Sequence, residues 1–292
     1  MTPTLPAGSA AAPLDLSITV VSHGHQALLE RYLPSLFDVP TSVAFEVLLI
    51  DNTGSDGAAD WVSRRFSHVH VVRNERPRSF AANMNTGMRM LRRGRYFVVF
   101  NPDIQCLPGL FEECVRFMDT HPDVGLIGPQ LLNPDGTVQP SCRRFATPLV
   151  TLIRGLGLDS RFGERAFVGR SVRRYLMSDS DHDRVMDVDW VTGALMVARR
   201  EALADVGGMD ERYEGAYAED ADLCCQLWQA GWRVSYVPQA KAIHDHQRAG
   251  VRRPLSRMQL LQLTNTVRAY RKFGWKLTRE LQQPRRRSRA EP

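Results

Sequence analysis

The sequence predicts a doubly wound α/β fold with a mostly parallel central sheet. Three observations carry that prediction. Short apolar runs rich in β-branched residues recur at 16–21, 45–50, 68–73 and 95–100. Helix-like stretches of mixed polarity separate them. Acidic residues follow two of the runs, Asp51 directly and Asp103 as the last residue of Asn101-Pro102-Asp103. Runs that are apolar on both faces are buried parallel strands, and alternation with helices is the signature of βαβ units. At 292 residues the chain can bury a large core, as one big domain or as one domain with an appendage.

The elements follow in order. Residues 1–13 are Pro/Ala-rich, without a basic region followed by an apolar one, and read as a disordered leader rather than a signal peptide. Helices are expected at about 27–37, 58–66 and 80–91, and another at about 108–120 after Asn101-Pro102-Asp103. A strand is expected at 124–128. Asn133-Pro134-Asp135-Gly136 is a turn signal and suits a hairpin tip. Residues 143–186 are Arg-rich without strand alternation and read as an insertion of short helices and loops. Residues 187–198 read as one strand entering the core and 200–206 as a short helix, broken by Gly207-Gly208. A helix at 219–230 carries Leu223, Cys224, Leu227, Trp228 and Ala230 as its apolar stripe. A late strand spans 233–237. An amphipathic helix at 255–273 places Leu260, Leu263, Val267 and Tyr270 on one side. The expected organisation is a main domain over 14–250, a helical extension over 251–283 and a basic disordered tail over 284–292.

No run of 18 apolar residues exists, so no transmembrane helix is expected. The five cysteines show no CxxC or other metal-like spacing, which fits a reducing compartment and small buried hydrophobes. The formal charge of +6 is unevenly spread: −3 over 1–142, +6 over 143–174, −8 over 175–247 and +11 over 248–292. Two basic blocks flank an acidic region, which suggests an anionic surface as partner.

The chemistry-bearing residues cluster in that acidic region and at the strand ends. Ligands bind outside the C-terminal ends of strands in open α/β sheets. An acid such as Asp51 there commonly bonds a ribose or base edge; it also serves as an ordinary turn or helix-cap acid. No GxGxxG loop follows the first strand, which holds Ser22-His23-Gly24-His25, so a dinucleotide fingerprint is absent. Asp103 is placed to hold a divalent cation bridging a diphosphate, since Mg²⁺ and Mn²⁺ prefer oxygen ligands and use few carboxylates, although Asn-Pro-Asp alone is also a common turn sequence. Glu219-Asp220 opens a helix, where an acid either caps the free N–H groups or, kept ionised by the helix start, accepts a proton. In His244-Asp245-His246, after the late strand, alternate positions send both imidazoles to one side, and neutral imidazole ligates metal; a histidine taken alone is more often a satisfied surface residue. Together these residues suggest a metal-nucleotide site with a catalytic base.

With these motifs in order, the chain resembles glycosyltransferase family 2, the inverting GT-A enzymes, and within it the rhamnosyltransferase-like members. The segments EVLLIDNTGSDG, VVRNERPRSFAANMNTG, YFVVFNPDIQCLPGLFE, HPDVGLIGPQLLNPDGTVQPSCRRFATP, VDWVTGALMVARREAL, VGGMDERY and AEDADLCCQLWQAGWRVSYVPQAKAIHDH carry it across residues 17–250. The resemblance implies a GT-A fold. It implies Asp220, with Glu219 beside it, as the catalytic pair with Asp220 the base. Asp51, Asn52, Asn83, Asn85, Asn101 and Asp103 would contact the nucleotide sugar. Asp103 and His244 would hold Mg²⁺ or Mn²⁺. Trp190, Thr192, Gly193 and Asp222 would line the acceptor side. The implied reaction moves L-rhamnose from a dTDP donor to a lipid-linked or glycan acceptor in envelope polysaccharide assembly. Within 143–186 the segment ATPLVTLIRGLGL, the dense arginines and Tyr175-Leu176 read either as an amphipathic surface leaning on anionic lipid or as a solvated insertion, and the expected location is cytoplasmic, peripheral at the inner face of the cell membrane.

The chain departs from the family pattern at Asn101, in place of the first acid of DxD; at His23-Gly24, in place of an aromatic residue or Thr followed by Asn; and at Met84, where some relatives carry Arg. A nucleotidyltransferase would need an early Gly-rich basic phosphate loop, which is missing. A nucleic-acid-binding protein driven by the basic tail would leave the acids unexplained, so no nucleic-acid partner is expected. A catalytically silent assembly protein is the third alternative.

Overall fold

The structure, a computed structural model, describes residues 14–155, 166–213, 218–245 and 257–274. The first half is a run of βα units. Strands β1 (Leu14–Ser22), β2 (Phe45–Asp51), β3 (His70–Arg73) and β4 (Gly94–Phe100) pair in parallel, in the order β3-β2-β1-β4. The linking helices are α1 (Gln26–Tyr32), α2 (Ser35–Asp38), α3 (Ala58–Arg65) and α4 (Phe80–Met90). The single helix expected at 27–37 is two. Pro34 has no N–H to continue the ladder, and it becomes the N-cap of α2.

After β4 come β5 (Ile104–Cys106), α5 (Leu110–Thr120), β6 (Val124–Leu132), β7 (Cys142–Arg143), α6 (Pro148–Gly155) and α7 (Ala166–Leu176). Then follow β8 (Met186–Asp187), β9 (Trp190–Val191), β10 (Leu195–Arg199), α8 (Arg200–Val206), α9 (Glu219–Gln229), β11 (Arg233–His244) and α10 (Arg257–Phe273). The main sheet runs β3-β2-β1-β4-β10-β6-β11-β5, with β8 on β11, while β7 and β9 form a separate ribbon. Strand β10 is antiparallel to both neighbours, and β5 is antiparallel to β11; β6 and β11 are parallel.

Alternate residues feed two apolar layers. Ile18, Val20 and Val98 belong to one, under α1, α3 and α5. Phe97, Val99 and Ile50 belong to the other, under α4, α8 and α9. Burial on both faces explains why these strands read as continuous apolar runs.

Several expectations are corrected. The strand expected at 187–198 is three pieces, β8, β9 and β10. Thr192 bonds to Ser141 O and Gly193 to Asp220, so the chain leaves the ladder there. The late strand runs to His244 instead of ending near 237, and His244 is its last residue. Among its described residues the stretch 143–186 contains two short helices, α6 and α7, and it buries Phe145, Val150, Ile153 and Met177. In α10, Val267 is exposed where the apolar side was expected, whereas Asn265 is buried; the side chains of Leu260 and Leu263 lie outside the described residues. The turn at 133–136 forms as expected, with Gly136 N–H donating to Asn133 O and Leu132 bridging Val138. All five cysteines are buried thiols.

The registers place one functional edge. Ser22 stands beside Asp51, and Val20 beside Phe100. Leu195 starts β10 opposite Phe100, because that strand runs the other way. His244 pairs with Ile104. The ends of β1, β2, β4 and β11 and the start of β10 therefore open on the same side of the sheet.

Candidate active site

The two acidic motifs meet on one dipeptide. The Asn101 N–H donates to Ala194 O at 2.9 Å, which fastens the Asn101-Pro102-Asp103 loop to the start of β10. One residue earlier, the Gly193 N–H donates to Asp220 Oδ2 at 3.1 Å, which fastens the start of α9 to the same place. Asn101 and Asp220 are thereby held by two consecutive residues.

Asp220 sits in the first turn of α9, half-buried, with its Oδ1 accepting from Ala221 N–H at 2.8 Å. Burial pushes its carboxyl above the ordinary carboxylate range, opposed by the Gly193 and Ala221 N–H groups and by the charge of Arg143. The helix-start expectation of a lowered value is thus reversed: desolvation outweighs the N–H groups. A carboxylate held closer to neutrality is a better proton acceptor. Glu219, its neighbour, is buried at 5% exposure. The sequence reading missed Arg143. It lies opposite Trp190 in the β7-β9 ribbon, and its guanidinium lies 5.4 Å from the Trp190 ring and 5.7 Å from that of Tyr175.

Trp190, Thr192 and Gly193 are half-buried beside Asp220, with the Trp190 indole N–H donating to Arg144 O at 3.0 Å. Asp222 does not join them. Its carboxylate is buried on the other side of α9, held by Lys272, Tyr213 and Gln226. The spacing 220–222 turns the two acids away from each other on the helix, about 200° apart at 3.6 residues per turn.

The metal candidates lie at the ends of β4 and β11. Asp103 Oδ1 is 3.4 Å from His244 Nε2, and both side chains are nearly buried. The other imidazole nitrogen, Nδ1, is 2.6 Å from Gln139 Oε1. An amide oxygen only accepts, so Nδ1 donates there, and Nε2 is the ring nitrogen that faces Asp103. Asp103 Oδ1 is buried with no hydrogen-bond partner among the described residues. A carboxylate oxygen and an imidazole nitrogen 3.4 Å apart suit a divalent cation, which a neutral imidazole would ligate, with phosphate oxygens supplying further ligands. Among the described residues no group of three His, Cys, Asp or Glu side chains could hold a metal by itself. The Asp245 N–H donates to Asp103 O at 3.0 Å, and Tyr32 OH donates to Asp245, which ties this corner to α1. His246 lies outside the described residues. His25, in the loop after β1, is close enough to Asp103 to feel its charge, although burial lowers its pKa overall.

The candidate nucleotide residues divide into two kinds. Asp51 ends β2 with its Oδ1 accepting from Thr53 and Gly54 N–H groups at 3.2 and 2.8 Å, which shapes the following turn. Asn52, Asn74 and Asn83 form a chain of amides: Asn74 Nδ2 donates to Asn52 Oδ1 at 2.8 Å and to Asn83 Oδ1 at 2.7 Å. Asn52 also takes the Arg78 N–H at 2.9 Å. Asn83 is fully buried, and Asn85 spends its amide on Met209 N and O and on Glu211. These asparagines position the 74–80 and 209–211 segments rather than offering free amides to a ligand. Asn101 is half-buried at the mouth, beside Asp103.

Residues 17–175 match the family model described as Glycosyl transferase family 2, and residues 103–287 match Glycosyl transferase family group 2. The N-acetylglucosaminyl-diphospho-decaprenol L-rhamnosyltransferase of Mycobacterium tuberculosis is 30% identical over 274 residues, covering 89% of this chain and 86% of that protein. The Escherichia coli rhamnosyltransferase WbbL is 46% identical over 57 residues, 20% of this chain and 21% of that one. Among solved structures, GalNAc-T7 with UDP, GalNAc and Mn²⁺ superposes with a TM-score of 0.61 at 16% identity, covering 89% of this chain and 48% of that one. A Pyrobaculum calidifontis mannosyltransferase with GDP-mannose and Mn²⁺ gives 0.57 at 17% identity, covering 90% and 64%. The chain thus spans about half and about two thirds of those two proteins, and they share its fold, the GT-A arrangement.

Proposed function

This chain belongs to glycosyl transferase family 2, and from that premise we propose that it moves L-rhamnose from dTDP-rhamnose to a lipid-linked or glycan acceptor of the cell envelope, with inversion. The observation that carries the mechanism is the Gly193-Ala194 dipeptide, which sets the base candidate Asp220 beside the Asn101-Pro102-Asp103 loop. Rhamnose and a diphosphate-linked lipid acceptor are supported by the 30% identical relative, an N-acetylglucosaminyl-diphospho-decaprenol L-rhamnosyltransferase.

The acceptor hydroxyl enters past Trp190 and Thr192, towards Asp220. Asp220 takes its proton as the oxygen attacks the anomeric carbon, a role worth about 10²–10⁴-fold. Attack from the face opposite the nucleotide inverts that centre in one displacement. The transition state has oxocarbenium character, as in glycoside hydrolysis. Asp103 and His244 would hold the Mg²⁺ or Mn²⁺, which supplies charge neutralisation for the departing diphosphate. The loop shaped by Asp51 and the segment pinned by Asn52 would cradle the nucleotide.

Among the described residues no helix is long and apolar enough to cross a membrane. Peripheral binding to an anionic membrane is supported by Arg170, Arg173 and Arg174, all exposed on α7, and by Leu149, exposed on α6. Such basic residues near an anionic surface contribute about 1 kcal/mol each.

The test is transfer by the purified protein from a panel of nucleotide sugars to N-acetylglucosaminyl-diphospho-prenol, with Mg²⁺ or Mn²⁺. Rhamnosylated product from dTDP-rhamnose supports the assignment. Transfer from a different nucleotide sugar, with none from dTDP-rhamnose, overturns the donor.

A further inference from the structure

The C-terminal helix reaches back to the helix that bears the base. Lys272, near the end of α10, places its Nζ 2.7 Å from both oxygens of Asp222 and 2.8 Å from Asp210 Oδ2. The Asp222 side chain is fully buried, and Lys272 is 22% exposed. Tyr213 OH donates to Asp222 Oδ1 at 3.1 Å and Gln226 Nε2 to Asp222 Oδ2 at 2.8 Å. Asp222 thus has a full set of partners, and Lys272 is its cationic one.

Asp222 lies two residues after Asp220, in the same first turn of α9. That turn begins under strain: Ala218, immediately before it, has φ +77°, a left-handed conformation that a non-glycine residue rarely adopts. The Asp222 N–H closes the turn on Ala218 O at 2.8 Å. A strained helix start persists only where its surroundings over-determine it. Here the determinants are Gly193 N–H on one side, through Asp220, and Lys272 on the other, through Asp222.

We propose that Lys272 is a positioning residue for the transfer reaction: its buried ion pair with Asp222 sets the first turn of α9, and so aims Asp220. The C-terminal helix is then part of the catalytic unit instead of an appendage. The inference rests on Asp220 being the base. Its physical content, a clamp on the start of α9, stands apart from that reading. Removing one partner of a buried pair leaves an uncompensated charge, whereas removing both does not.

Two measurements test it. In steady-state transfer, Lys272→Met should lower kcat by about tenfold or more with donor KM within about twofold, and Lys272→Arg should stay within about threefold of the parent kcat. The double variant Lys272→Met/Asp222→Asn removes the stranded carboxylate, so it folds where the single variant fails, and it should keep the low kcat. A Lys272→Met enzyme with kcat within twofold of the parent overturns the proposal. So does a double variant with full turnover, or a kcat that returns to the parent value once it is normalised to the folded fraction. In hydrogen exchange, independent of any substrate, Lys272→Met should speed exchange over residues 218–227 while β1 and β4 stay protected. Unchanged exchange at 218–227 overturns the clamp. If the chain transfers no sugar from any donor but the exchange result holds, the clamp stands and the base assignment fails.

Discussion

Gly193 N–H donates to Asp220 Oδ2 at 3.1 Å, a bond that favours the ionised carboxylate, whereas burial of the same group disfavours it. The balance falls to burial, so the Asp220 pKa is raised. A base acts only when ionised. Activity should therefore be lost as pH falls through a pKa above the ordinary carboxylate value. The measurement is the pH profile of kcat/KM, which reports the free enzyme. An acidic limb clearly above about 4 is expected, and one at or below that value contradicts the raised pKa.

Gly193→Ala separates the N–H from the bare space around it. A Cβ there would lie 3.6 Å from Asp220 Cβ and 3.7 Å from Phe80 Cε1, ordinary contact distances. The variant keeps the N–H, so its acidic limb should coincide with the parent's. A limb displaced by a full pH unit would show that something other than the N–H sets the Asp220 environment.

Asp103→Ala removes the carboxylate that faces His244 at 3.4 Å. Metal-dependent donor binding should disappear while the fold stays intact. Calorimetry of the variant and of EDTA-treated parent should both show lost affinity for the nucleotide sugar. Equal affinity with and without EDTA removes the metal from the account.

Gly94 tests the packing behind the site. A Cβ at this position would stand 2.4 Å from both Leu16 C and Ser17 N, backbone atoms of the neighbouring strand β1. Backbone cannot rotate away as a side chain does. Gly94→Ala should cost about 1–3 kcal/mol, the usual range for overpacking, read from the urea midpoint. An unchanged midpoint would mean that β1 and β4 approach less closely at this point.

The basic blocks predict salt-dependent binding to anionic liposomes, because attraction to a charged surface is screened within about 8 Å at physiological ionic strength. Deleting residues 284–292 should weaken binding only partly, since the arginines of α7 remain. Equally poor co-sedimentation with neutral and anionic vesicles at low salt would make these blocks ordinary solvated surface.

What could be read without the structure was whatever is written locally. Strands β1, β2 and β4 are apolar on both faces, and so are visible as runs; Asp51, Asp103 and Asp220 are marked by their positions next to such runs or at a helix start. The break at Thr192-Gly193 was passed over: alternation over 187–191 gives way to the apolar run 194–198 across a Thr-Gly pair, but such a pair alone does not say that the chain leaves the ladder. Asp222 was placed on the acceptor side because its sequence motif is continuous with Asp220, whereas helix geometry turns it towards Lys272, fifty residues away. Gln139 and Arg143 carry no signal by themselves. They matter through His244 and Asp220, partners that no local spacing reveals. The direction of the Asp220 pKa was misread for the same reason: helix N–H groups are local, while desolvation depends on what packs around the acid.

The most direct test of the central claim is single-turnover sugar transfer by the parent and by Asp220→Asn, at saturating donor. The substitution removes a proton acceptor at nearly constant shape. Donor affinity should persist while the transfer rate drops by at least about 100-fold, and Glu219→Gln should fall less. A transfer rate for Asp220→Asn equal to the parent's, or an inactive Glu219→Gln beside an active Asp220→Asn, would contradict Asp220 as the base.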